Sequence, residues 1–126
     1  KYGIVSTEER EGRISRVKQI VEKPPPQNAP STLAVVGRYL LSPTIFEKLE
    51  RTGRGAGGGI QLTDAIADLL ADEAVYAYEF EGKRYDCGSN LGYLQATVEF
   101  GLKHESLGDK FREYLVGLTS KVAEKQ

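Results

Sequence analysis

The sequence contains no methionine and no tryptophan, and it has one cysteine and one histidine in 126 residues. Because Cys87 has no possible partner within the chain, an internal disulfide is excluded, and a reducing, cytoplasmic location is expected. With His104 as the single histidine, zinc chemistry and a Cys-His or Ser-His-Asp catalytic site are poorly supported. From the absence of methionine we expect the chain to be part of a longer protein.

The sequence also lacks an excess of either charge, since 17 basic and 18 acidic residues give a formal net charge of −1. Nucleic acids and anionic membranes are bound by basic surfaces, so neither is an expected partner. The apolar runs are too short to cross a bilayer, and no secretory signal is visible. With 40% hydrophobic residues, residues 1–126 are expected to form a single unit around one core.

Strand and helix signals are mixed along the chain, which predicts an α/β fold. Apolar or alternating strands are expected at residues 2–6, 13–23, 33–41 (buried on both faces) and 75–80. Helices are expected after Ser42-Pro43, over 61–72, after a Ser89 cap and from Leu107 onward. The last two helices carry much apolar surface, which either packs on the domain's own core or forms a subunit interface.

A glycine-rich segment at residues 53–59 formally contains the pattern G-x-G-x-x-G at Gly53, Gly55 and Gly58. In dinucleotide-binding proteins this pattern follows a strand, whereas here a predicted helix with Ile45, Phe46 and Leu49 toward the core precedes it. We therefore expect a flexible surface loop.

The acid-base pair Glu22-Lys23 lies where an apolar strand meets a run of prolines, Pro24 to Pro26, that cannot continue a sheet ladder. Ends of strands in α/β proteins commonly contact ligands. A carboxylate accepts hydrogen bonds from sugar hydroxyls, and an ammonium pairs with phosphate. The pair therefore indicates either a sugar-phosphate site or an exposed ion pair.

Asp86 lies between a predicted strand and the helix that Ser89 caps. Its carboxylate could be an oxygen ligand of Mg²⁺, or it could complete a turn. One aspartate does not make a metal site alone. Gly3 either allows a close approach to the backbone or marks a β-bulge.

Several segments taken together resemble the bacterial UTP–glucose-1-phosphate uridylyltransferases (UDP-glucose pyrophosphorylases), a branch of the sugar nucleotidyltransferases. The segments are residues 1–5 (KYGIV), 21–24 (VEKP), 34–39 (AVVGRY), 60–66 (IQLTDAI) and 80–88 (FEGKRYDCG). The resemblance is to the C-terminal portion of these enzymes. It implies part of a Rossmann-like fold, with a mixed sheet flanked by helices and a C-terminal helical extension.

The resemblance also implies roles for individual residues. Glu22 would bind glucose hydroxyls, and Lys23 would contact the sugar's phosphate and stabilise charge during transfer. Gly3 would offer its backbone N–H to the sugar, and Val35 would line the same pocket. Asp86 matches a second metal-site aspartate, with Mg²⁺ as the cofactor.

Enzymes of this family join glucose 1-phosphate to UTP, giving UDP-glucose and pyrophosphate, and a homo-oligomer (dimer or tetramer) is expected. Two departures stand out: the N-terminal half with the nucleotide loop is missing, and Gly59 replaces a usual acid. The chain alone is therefore expected to be inactive. Thymidylyl-, adenylyl- or guanylyltransferases, a non-catalytic regulatory paralogue and a plain dimerisation module remain alternatives.

Overall fold

The computed structural model describes residues 2–123, and a boundary between two compact units falls after Phe80. The first unit ends at Phe80 and the second begins at Glu81. The prediction that residues 1–126 form a single unit stays a prediction.

The first unit combines a four-stranded sheet with helices, which confirms the α/β class. The strands, in the sheet order β3-β1-β2-β4, are β1 (Ile4–Glu11), β2 (Ile14–Val21), β3 (Leu33–Ala34) and β4 (Tyr76–Tyr78). The α-helices are α1 (Thr44–Arg51) and α2 (Leu62–Leu69), and single 3₁₀ turns occupy Pro26–Asn28 and Ala56–Gly58.

The strands β1 and β2 form a hairpin that extends further than the predicted strand 2–6. Gly12 adopts φ +58° in the turn, a conformation that glycine adopts without a steric penalty. The charged residues from Glu8 onward belong to the strand, and Glu8 faces Arg16 across the pair. Two intervening residues allow only antiparallel pairing, because a parallel pair needs a long crossover. Among the described residues all strand pairs are antiparallel, where the family resemblance implies a mixed sheet.

The core of this unit lies between the sheet and the two helices. Its buried members are Val5, Val17, Ile20, Ile45, Ala65, Ile66 and Leu69. Helix α1 contributes Ile45 and the partly buried Leu49, which are one turn apart on the same helix face. The prediction that Phe46 also faces the core is wrong: Phe46 is 68% exposed, because it lies about 100° around the helix from Ile45.

Residues 33–41 do not form the continuous buried strand that their apolar character predicts. Only Leu33 and Ala34 pair with β1. Gly37 then takes φ +76°, a left-handed conformation that ends extended pairing, and Leu40 is fully exposed. An apolar run alone does not reveal such a turn.

The second unit contains the helices α3 (Asn90–Leu102) and α4 (Gly108–Ala123), so the predicted C-terminal helical part is present. Ser89 caps α3 as predicted, since its hydroxyl oxygen accepts a hydrogen bond from the Gly92 N–H at 3.1 Å. The two helices approach closely at Gly101, where a Cβ would lie 2.7 Å from the Phe111 ring. Within residues 2–123, no helix has both the length and the apolar character that a bilayer span requires.

Candidate functional site

The end of β2 brings Glu22 and Lys23 to the same side of the chain. In a regular strand the two side chains would point to opposite faces. Strand β2 ends at Val21, and Lys23 adopts φ +41°, a left-handed conformation that is rare for a residue with a side chain. The Lys23 N–H still donates to the Tyr2 carbonyl at 3.2 Å. As a result, the Lys23 ammonium lies 3.6 Å from Glu22 Oε1.

The Glu22 carboxylate is largely enclosed, whereas the Lys23 amine is open to solvent. Their side chains are 13% and 58% exposed, respectively. The second carboxylate oxygen, Oε2, accepts a hydrogen bond of 2.5 Å from the hydroxyl of Thr63. Thr63 lies in the first turn of α2 and is 5% exposed. The sequence indicates only that Thr63 is near a helix start, so its contact with Glu22, 41 residues away, could not be inferred.

Gly3 is buried and lies against both of these residues. A Cβ at Gly3 would stand 3.3 Å from Glu22 Oε2 and 3.5 Å from Thr63 Cγ2. No register shift occurs at this point, because the irregularities of the β1–β2 pair begin after Ser6. Close approach, rather than a bulge, is therefore the reason for glycine here, and the group that approaches is the Glu22 carboxylate.

Val35 contacts Gly3, and Tyr39 lies near enough to Glu22 for the carboxylate charge to act on its hydroxyl. The Val35 N–H donates to the Gly3 carbonyl at 2.8 Å, and the Val35 side chain packs against the core. Burial, and secondly the negative charge of Glu22, raise the pKa of the Tyr39 hydroxyl above its ordinary value. The structure thus brings together Gly3, Glu22, Lys23 and Val35, and it adds Thr63 and Tyr39, which sequence reasoning missed.

Asp86 belongs to the second unit, where it organises the start of α3. Its Oδ1 accepts a hydrogen bond from the Gly88 N–H at 3.1 Å, and its carbonyl accepts one from the Ser89 N–H at 3.2 Å. These contacts agree with the turn interpretation of Asp86. The part of the chain that the structure describes holds no group of three or more acidic, histidine or cysteine side chains that could bind a metal.

The glycine-rich segment folds into a hydrogen-bonded turn between α1 and α2. The Gly55 N–H donates to the Gly59 carbonyl, and the Gly58 N–H donates to the Gly55 carbonyl, both at 2.9 Å. A helix precedes the segment, so it is not presented as a dinucleotide loop. Gly59, where the family resemblance implies an acid, has an extended backbone (φ −98°, ψ 165°) that any residue can adopt.

A separate cluster of charged side chains lies in the second unit. The Glu99 carboxylate accepts hydrogen bonds from the Lys83 ammonium and from the Tyr85 hydroxyl. The bond from Lys83, followed by the bond from Tyr85, lowers the pKa of Glu99, and the bond to Glu99 raises the pKa of both Lys83 and Tyr85. The Tyr85 ring also meets Phe100 edge-on, with centroids 5.9 Å apart. This cluster fastens the segment before Asp86 to α3.

The sequence profile of the nucleotidyl transferase family matches residues 1–101. The chain is 50% identical to UTP–glucose-1-phosphate uridylyltransferase 2 of Staphylococcus saprophyticus over 115 residues, which cover 91% of this chain and 40% of that protein. It is 49% identical to the UTP–glucose-1-phosphate uridylyltransferase of Bacillus subtilis over 121 residues, covering 96% of this chain and 41% of that protein.

Solved structures resemble the chain in the same way. One is a UDP-glucose pyrophosphorylase complexed with UDP-glucose, with a TM-score of 0.77 and 45% identity over 82% of this chain and 40% of that chain. Another is a UTP-bound enzyme of the same kind from Acinetobacter baumannii, with a TM-score of 0.77 and 46% identity over 91% of this chain and 39% of that chain. The chain spans about 40% of the length of the curated relatives it matches.

Proposed function

Since this chain belongs to the nucleotidyl transferase family, we propose that it is the sugar-phosphate-binding part of a UTP–glucose-1-phosphate uridylyltransferase. The main support is that an enclosed carboxylate and an exposed ammonium, those of Glu22 and Lys23, lie close together just after the end of β2. Relatives that carry this activity in their names are 44–50% identical to the chain, which supports the uridylyl branch.

Glu22 binds the sugar in this proposal. Its carboxylate accepts hydrogen bonds only, which suits the hydroxyls of a hexose. Because the side chain is 13% exposed, its hydrogen bonds form in an environment of lower dielectric than water and are correspondingly stronger. The backbone N–H of Gly3 and the part of the Val35 side chain that does not face the core line the sugar pocket in this proposal. Gly3 adjoins the carboxylate, and the Val35 N–H donates to the Gly3 carbonyl.

Lys23 serves the phosphate and the transfer step. A phosphate oxygen of glucose 1-phosphate attacks the α-phosphorus of UTP, a new P–O bond forms, and the bond to pyrophosphate breaks. Two polyanions must meet, so a cation at the attacking phosphate reduces repulsion and favours in-line alignment. The Lys23 side chain is 58% exposed, so its amine can turn from Glu22 toward an incoming phosphate.

Asp86 is proposed as one oxygen ligand of Mg²⁺. A carboxylate is the donor that this ion prefers, and Mg²⁺ bound to nucleotide phosphates would neutralise their charge. The described residues offer no set of three ligands, so the remaining ligands must come from phosphates or from other parts of the protein.

A cytoplasmic homo-oligomer, either a dimer or a tetramer, is also proposed. The lone exposed Cys87 supports a reducing compartment. Helix α3 leaves Leu91, Leu94 and Phe100 exposed, and exposed apolar faces of this kind are typical of subunit interfaces. Light scattering of the full-length protein would measure its mass, and a monomer would contradict the proposal.

The activity is tested with the full-length protein that carries this chain. We expect glucose 1-phosphate and UTP, with Mg²⁺, to give UDP-glucose and pyrophosphate in equal amounts. Preference for dTTP, ATP or GTP would move the protein to another branch, and no turnover with any nucleotide would favour a regulatory paralogue. The 126-residue chain alone is expected to be inactive, and synthesis of UDP-glucose by it would contradict that expectation.

A further inference from the structure

We propose that Thr63 is a positioning residue that orients the Glu22 carboxylate for the sugar of glucose 1-phosphate. The inference rests on the proposed function, because Glu22 carries the sugar contact there. Thr63 is a buried residue in the first turn of α2, and its hydroxyl is the group that contacts Glu22.

The hydrogen bond between the two side chains is short and shielded. Thr63 Oγ1 lies 2.5 Å from Glu22 Oε2, within the range of a charge-assisted bond between a hydroxyl and a carboxylate. The Thr63 residue is 5% exposed and the Glu22 side chain 13%, so water competes little for either group. A bond of this kind holds the carboxylate in one orientation.

The two carboxylate oxygens therefore have different surroundings. Oε2 is held by Thr63, and Gly3 packs against the same oxygen. Oε1 lies 3.6 Å from the Lys23 ammonium, which is beyond hydrogen-bond distance. This ion pair thus leaves Oε1 able to accept a hydrogen bond from a sugar hydroxyl, beside the amine that serves the phosphate.

Thr63 can hold the Glu22 carboxylate in a fixed position because its own helix is packed into the core. Ala65, Ile66 and Leu69 of α2 are almost completely buried. Thr63 is β-branched, so its own side chain has few rotamers. Glu22, in contrast, follows the last residue of a strand and precedes a residue with φ +41°. Fixing Glu22 before the sugar arrives reduces the entropy lost on binding.

The test measures steady-state kinetics of the full-length protein with Thr63→Val, which keeps the shape of the side chain and removes the hydroxyl. We expect the KM for glucose 1-phosphate to rise about tenfold, as loss of one hydrogen bond to a charged group implies, with kcat and the KM for UTP nearly unchanged. Thr63→Ser, which keeps the hydroxyl, should restore most of the affinity. Thr97→Val is the matched control, because the Thr97 hydroxyl donates only within α3, to the Tyr93 carbonyl at 2.8 Å.

A double variant separates this inference from the proposed function. If the hydroxyl acts through the carboxylate, Thr63→Val should add less than about twofold to the KM in a Glu22→Gln background. If the two substitutions instead raise the KM by independent factors that multiply, the positioning role is contradicted. It is also contradicted if a folded Thr63→Val protein has wild-type kinetics while Glu22→Gln is impaired. If Glu22→Gln itself leaves the KM unchanged, the proposed function loses its sugar contact and the inference falls with it. Should Thr63→Val not fold, Thr63→Ala replaces it under the same criteria.

Discussion

The Lys23 ammonium lies 3.6 Å from Glu22 Oε1, although the two residues are adjacent in the sequence. A regular strand would hold these side chains on opposite faces. The left-handed φ of +41° at Lys23 removes that alternation. A carboxylate acceptor and an ammonium therefore face the same space, as the proposed sugar-phosphate site requires.

Different kinetic effects are expected from the two members of this pair. Lys23→Ala should lower kcat and kcat/KM about a hundredfold, because the lost charge acts mainly in the transition state. Glu22→Gln should instead raise the KM for glucose 1-phosphate about tenfold and leave the KM for UTP unchanged. Steady-state kinetics of the full-length protein measure both.

Lys18→Ala provides the matched control, because Lys18 is an exposed lysine on the same strand, β2. It should behave as the wild type. If Lys23→Ala changes the kinetics no more than Lys18→Ala does, Lys23 has no role in transfer, and the pair is only an ion pair.

The backbone conformation of Lys23 predicts that a glycine variant is more stable than an alanine variant at this position. A left-handed conformation is unfavourable for any residue with a Cβ, by about 1 kcal/mol or more, and glycine avoids this penalty. We therefore expect Lys23→Gly to be more stable than Lys23→Ala by about 1 kcal/mol, measured by urea unfolding. At Gln19, an exposed residue of β2 that pairs with Ser6, the order should be reversed, since glycine weakens a strand interior. If the alanine variant is the more stable one at both positions, the backbone of Lys23 is not strained.

Sequence reasoning located the acid-base pair and the α/β class, because prolines, charges and apolar periodicity are local signals. It could not show that Thr63 bonds to Glu22, since that contact joins residues 41 positions apart through tertiary packing. It also misjudged residues 33–41, because the run is apolar throughout and the turn depends on the positive φ of Gly37. Local patterns indicate which groups can bind a ligand, and packing decides which groups orient them.

Replacement by alanine should have opposite effects on stability at two neighbouring glycines of the loop before α2. Gly58 has φ +78° with no atom within 4 Å of a Cβ, so Gly58→Ala meets only backbone strain and should destabilise by about 1 kcal/mol. Gly59 is extended, and its Cβ would lie 3.7 Å from Gln61 Nε2, an ordinary contact. Gly59→Ala should therefore stabilise by about 0.5 kcal/mol, because it restricts the unfolded chain.

Urea unfolding of the two variants measures the difference directly. Equal destabilisation by both would mean that Gly59, like Gly58, is held in a conformation that only glycine adopts. Gly59→Glu, which places an acid at this position, should be tolerated for the same reason as Gly59→Ala. A large loss of stability in that variant would contradict the extended conformation.

The Lys83–Glu99 pair predicts a pH dependence of stability in the second unit. The hydrogen bonds from Lys83 and Tyr85 lower the pKa of Glu99 below its ordinary 4.5. A lowered carboxyl pKa stabilises the folded state above the unfolded pKa, and the effect disappears as the pH falls through the folded value. Thermal unfolding at a series of pH values should therefore show Glu99→Gln less stable than the wild type at pH 7, with the difference in Tm shrinking below about pH 4.5.

At alkaline pH the stabilisation by the Lys83–Glu99 pair is lost through deprotonation of Lys83. Glu99 raises the pKa of Lys83 above its ordinary 10.5, so the stabilisation persists up to that pH and is lost as the pH rises further. Glu113→Gln, which removes an exposed carboxylate from α4, is the control with which the pH dependence of the Glu99→Gln difference is compared. A Glu99→Gln difference that is equally flat between pH 3 and 7 would mean that Lys83 and Tyr85 do not hold the Glu99 carboxylate in solution. The segment before Asp86 would then lack the anchor that the structure gives it, and the proposed position of that metal ligand would lose its support.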